Sequence, residues 1–156
     1  MSEKLEQDMY RAIATTLENM AFLQVCQEVE EARRYPSEEM AVSRLLIHDP
    51  IQGELFLLMP KPLLSKIVSS VYIMPEEELS EQMLLDMLCE LINTVAGLFL
   101  NAHLPEDQTY SLGLPEKVLE GYEDSPFEMK QWDFQVENVM FSLALAGDGF
   151  FIAEQS

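Results

Sequence analysis

The sequence predicts an α+β fold, a mostly antiparallel sheet with about three helices packed on one face. Three observations predict it. Stretches with apolar residues at steps of three or four read as amphipathic helices. Short apolar runs separated by turn-forming residues read as paired strands. The length, 156 residues, fits a single domain over 1–156.

The elements follow in order. Residues 3–22 read as a helix, because Leu5, Met9, Ile13, Leu17 and Met20 share a face while Asp8, Arg11 and Glu18 lie elsewhere. Leu23 to Glu30 switches to alternation and predicts a strand. Arg33 to Ser37 is a loop around Pro36. Ala41 to His48 and Glu54 to Met59 predict an antiparallel hairpin, joined by a turn over Asp49–Gly53. A short helix begins at Pro62 and buries Leu63, Leu64, Ile67, Val68 and Val71. The acidic run Glu76–Glu78 leads into a long helix from Leu79 to about Asn101, where negative charge suits the N-terminal dipole. Tyr110, Gly113 and Pro115 bracket a short strand, and Gly121 to Lys130 is a loop. Trp132, Phe134 and Val136 alternate with polar neighbours in another strand, and Val139 to Ala144 makes the next. Gly147-Asp148-Gly149 predicts a tight turn into a last strand over Phe150–Ala153.

Composition excludes several classes of function. With 28 acidic and 9 basic residues the formal charge is −19, which disfavours nucleic acid or an anionic membrane as partner. The N-terminus lacks a basic-then-apolar secretory signal. No apolar run reaches the roughly 18 residues of a membrane span without polar interruption. A cytoplasmic protein is the expectation. Cys26 and Cys89 lack metal-like spacing and read as reduced core residues. His48 and His103 are isolated and read as surface or hairpin residues, and the ten methionines read as core filling. No nucleophile elbow and no phosphate-cradling glycine loop is present.

The long helix carries the one pattern that points to chemistry. Asp86, Glu90, Asn93, Gly97 and Asn101 fall on one narrow line of a helix that is otherwise Leu, Met, Ile, Val and Phe. A carboxylate can bind a cation or accept a proton. A carboxamide both donates and accepts, so it can hold a water molecule and aim its lone pair. Asp86 can orient Glu90 or add negative field, and Gly97 leaves room for another backbone to approach. The plain alternative is the solvent-facing side of an amphipathic helix. A divalent metal shared by Asp86 and Glu90 is a further possibility, but no His or third acid completes a shell.

Asp86-x3-Glu90-x2-Asn93 resembles the Asp/Ser-x3-Glu-x2-Asn signature of the CheC/CheX/FliY family of chemotaxis phosphatases. Ile92 to Gly97 resembles that family's Asn-x3-Gly continuation. Pro115 stands 22 positions beyond Asn93, one residue short of the family's usual proline spacing. The order of elements is similar over most of the chain. The resemblance implies a phosphatase that hydrolyses the aspartyl phosphate of a CheY-like response regulator. Asn93 would position the water and Glu90 would anchor the chain to the regulator's lysine, with Asp86 and Gly97 supporting. It implies no cofactor or metal on this chain, the Mg²⁺ being held by the regulator. Relatives with two sites carry a second motif on the N-terminal helix. Here Ala14, Glu18 and Ala21 stand at those positions, so a single site is expected, as in the CheX branch, whose sheet-to-sheet pairing makes a homodimer the expectation. The alternative is a non-catalytic interaction module of the same fold, like the flagellar switch proteins.

Overall fold

The computed structural model describes residues 2–118 and 128–155. The chain runs through α1 (Ser2–Ala21), β1 (Met40–Asp49), β2 (Gly53–Pro60), α2 (Lys61–Tyr72), α3 (Glu81–His103), β3 (Ser111–Leu112), β4 (Glu116–Val118), β5 (Met129–Val136), β6 (Val139–Ala146) and α4 (Asp148–Gln155). All strand pairs are antiparallel, in the order β3-β1-β2-β6-β5, and β4 pairs with the other end of β1's outer edge.

The hairpin forms where expected, with Ala41 opposite Met59 and Ile47 opposite Gly53. Its loop is shorter than predicted, because Asp49 and Gly53 already belong to the strands. β2 is buried on both faces. Leu55, Leu57 and Met59 join the main core, while Phe56 and Leu58 join Ala144 and Ala146 in a smaller cluster on the opposite face. A strand covered on both sides reads as a continuous apolar run rather than as alternation.

The main core lies between the sheet and the helices. α1 contributes Leu5, Met9, Ile13 and Leu17; α3 contributes Leu88, Leu91, Ile92, Val95 and Phe99. α3 packs on α1, α2 and β1. By length and mean hydropathy, 1.7 over its most apolar window, α3 is long and apolar enough to cross a membrane, although Asp86, Glu90 and Asn93 interrupt the apolar run as the sequence showed. Met87, Leu88, Leu91, Ile92, Val95, Ala96, Phe99 and Leu100 are buried within the protein.

Two expectations are corrected. Leu23–Glu30 is not a strand. It touches the sheet through an isolated bridge, Cys26 opposite Gln135, and only Val25 is buried. The chain leaves α1 with Phe22 at φ 56° and 89% exposed, so the segment crosses the end of β5 instead of lying along it. Phe150–Ala153 is helix, not strand: it belongs to α4. Gly147 at φ 145° makes the turn, and the Asp148 carboxylate accepts a hydrogen bond from the Glu128 N–H at 2.8 Å. Adjacent Phe150 and Phe151 are both buried, as a plugging helix end allows and the alternation of a half-buried strand does not. The short strand β4 was not expected, and the acidic run Glu76–Glu78 forms its own 3₁₀ turn before α3. The loop expected over Gly121–Lys130 falls mostly on 119–127, outside the described residues, and Met129 and Lys130 already belong to β5.

Candidate functional site

α3 begins at a conventional N-cap. The Ser80 hydroxyl accepts a hydrogen bond from the Met83 N–H at 3.2 Å, and Glu81 occupies the first turn. No proline interrupts the helix, and it closes with the Leu104 N–H on the Leu100 carbonyl at 2.9 Å, just before Pro105. Met87, Leu88, Leu91, Ile92, Val95, Ala96, Phe99 and Leu100 are buried. That burial fixes the rotation of the helix and leaves the predicted stripe outward.

Asp86, Glu90, Asn93 and Asn101 are all exposed, and Gly97 is half-buried. Three and four residues apart, Glu90 and Asn93 have Asp86 and Gly97 for neighbours on the same face. The Glu90 and Asn93 side chains make no hydrogen bond to any described residue, so their polar atoms face outward with full capacity. Asp86 differs. Its carboxylate accepts a hydrogen bond at 2.7 Å from the amide of Gln82, one turn earlier on the same line. Thr94 is also occupied, its hydroxyl donating to the Glu90 backbone carbonyl at 2.9 Å. Cys89 lies beside the stripe, half-exposed, and its thiol is pushed above its usual pKa by burial and then by the charge of Asp86.

Two further side chains bear on the site, and neither was legible in the sequence. Tyr110, on the connection from α3 to β3, lies over Gly97. A Cβ built on that glycine would stand 3.6 Å from the Tyr110 hydroxyl, ordinary van der Waals contact. His103 is not a surface residue. Its Nδ1 lies 3.3 Å from the Asp8 carboxylate with only 8% of the side chain exposed, and Lys4 approaches the same oxygen at 2.7 Å. The ring stacks on Phe99, centroids 5.3 Å apart. This cluster ties the first half of α1 to the end of α3. Gln82 could have been found from its spacing of four to Asp86. Tyr110 and His103 could not, since their contacts join elements distant in sequence.

On α1, Glu18 is exposed, Ala14 is half-buried and Ala21 is buried. A second polar line equivalent to that on α3 does not form there. Among the described residues no group of three or more His, Cys, Asp or Glu side chains is arranged to hold a metal ion. The groove beside α3 is lined by Ala41, Leu64, Leu84, Leu85 and Leu88 with Lys61, Glu81 and Lys117, not by the exposed residues of the stripe.

Comparison with known proteins bears on the family and the fold. The family described as Chemotaxis phosphatase CheX matches residues 42–125, more than half of the chain and inclusive of α3. No curated protein sequence matches the chain. Among solved structures, a CheC-like superfamily protein from Shewanella sp. PV-4 is 16% identical with a TM-score of 0.71, over 94% of this chain and 98% of that one. CheX of Borrelia burgdorferi, solved in complex with CheY, BeF3 and Mg²⁺, is 11% identical with a TM-score of 0.66, over 90% and 96% of the two chains. The middle domain of Helicobacter pylori FliM is 10% identical with a TM-score of 0.58, over 94% and 92%. At these identities the structural likeness establishes the fold, α+β of the CheC/CheX kind.

Proposed function

The chain belongs to the CheX family of chemotaxis phosphatases, and on that premise we propose that it hydrolyses the aspartyl phosphate of a CheY-like response regulator. The observation that carries this reading is the pair Glu90 and Asn93, exposed on one face of an N-capped helix, with no side-chain hydrogen bond to any described residue. In this reading α3 enters the regulator's phosphorylation site stripe first. The Asn93 carboxamide holds a water in line with the phosphorus. The water oxygen attacks, the bond from phosphorus to the acyl oxygen breaks, and inorganic phosphate and a free aspartate result. An acyl phosphate is already activated, so orientation of the water supplies most of what is needed without a strong base. Glu90 pairs with the regulator's lysine and fixes the docking geometry, a charge match that added salt weakens. The regulator carries the Mg²⁺. The reaction belongs to the cytoplasm, where such regulators work.

The test is to phosphorylate the response regulators of the same organism with a small phosphodonor and follow loss of the aspartyl phosphate. Asn93→Ala is expected to lower kcat by about 100-fold, the scale of a lost orienting contact. Glu90→Ala is expected to raise KM by about tenfold or more. Parental rates in both variants would remove the catalytic assignment.

The shared fold of the FliM middle domain favours a second reading, a non-catalytic module that binds a partner on the same surface. A scaffold needs neither Glu90 nor Asn93. Association that ignores phosphorylation, with no turnover of any regulator, would select it.

A further inference from the structure

The polar stripe does not end with α3's own side chains. The Tyr110 hydroxyl stands over Gly97, one turn past Asn93, and has no hydrogen-bond partner among the described residues. The residue is half-buried and packs against the main core, so the phenol is held in place rather than free in solvent. A helical Cβ leans toward the N-terminus. The position that Gly97 leaves vacant therefore covers the turn holding Asn93, and the hydroxyl at 3.6 Å borders that space. The arrangement pairs clearance for an approaching backbone with a donor at its edge that no described residue engages.

We propose that Tyr110 is a recognition residue, its hydroxyl donating a hydrogen bond to an acceptor oxygen at the rim of the docked receiver's phosphorylation site. The inference rests on the proposed function in taking the stripe as the docking face. The bond belongs to binding and not to the chemical step, since the water and the phosphorus meet at Asn93. A pre-placed phenol adds affinity with little loss of side-chain freedom.

The experiment is Tyr110→Phe, which removes the oxygen and keeps the ring. Affinity is measured for each receiver of the same organism loaded with Mg²⁺ and beryllofluoride, beside steady-state dephosphorylation and thermal unfolding. One hydrogen bond predicts a rise of about three- to tenfold in both Kd and KM, with kcat and melting temperature unchanged. Parental Kd in Tyr110→Phe overturns the proposal. So does a lowered melting temperature with unchanged Kd, which makes the hydroxyl a structural group. The Kd arm does not depend on turnover: if Asn93→Ala hydrolyses at the parental rate, the catalytic reading falls while Tyr110 is still judged by affinity. A chain that binds no loaded receiver overturns both.

Discussion

Cys89 reports on its neighbours. Its thiol pKa is raised first by burial and second by the Asp86 carboxylate, both of which disfavour the thiolate. Removing that negative charge moves the pKa back down, so more thiolate is present at any pH below it. Asp86→Asn is therefore expected to speed alkylation of Cys89 by iodoacetamide at pH 8 by about two- to fivefold, the scale of one partly exposed charge. Mass spectrometry of the Cys89 peptide over time reads the rate, and an unchanged or slower rate removes Asp86 as a source of field at the stripe. At this scale the spacing of Asp86, Glu90 and Asn93 was legible, because a helix turns a linear interval into a face. The engagement of Asp86 by Gln82 adds what composition alone does not show: one carboxylate of the line is already occupied internally, while the other meets no partner among the described residues.

α2 ends against preference. Its C-cap, Ile73, has φ 55° and ψ 54° and is 90% exposed, so a β-branched residue holds the left-handed conformation with no burial in return. Ile73→Gly relieves that strain and removes little packing. The expected gain is about 1 kcal/mol, read as a rise in the urea midpoint at constant m-value; a loss of stability would show that the isoleucine is packed after all. Elements with a clean period were legible: both hairpin strands, α1, α2 and α3 lie within a few residues of where the pattern puts them. Those decided by tertiary packing were not. Leu23–Glu30 alternates yet has no neighbouring strand along its length, and Phe150-Phe151 looks like strand but plugs the core as helix.

At the scale of the molecule, the sheet and its helical layer follow from where the apolar faces point, and the sequence showed those faces. It did not show the second apolar cluster around Phe56 and Leu58, because burial on both sides erases the alternation that would reveal it. Nor did it show that Asp8 and His103 join α1 to α3, a contact across 95 residues of chain. The polar line lies on the outside of this layered body, while the nearby groove is lined by other residues. Selectivity follows from that shape. Among the described residues an exposed helix face offers no walls with which to surround a small molecule, desolvate it or hold it in register with Asn93. Free acetyl phosphate should therefore survive in the presence of this chain as long as in buffer, measured by release of inorganic phosphate. Turnover of that small donor by the chain alone would mean an enclosed site elsewhere. Under the proposed function, the cell's pool of small high-energy phosphates would be spared, and only a phosphate already lodged on a fitting protein surface would be exposed to attack.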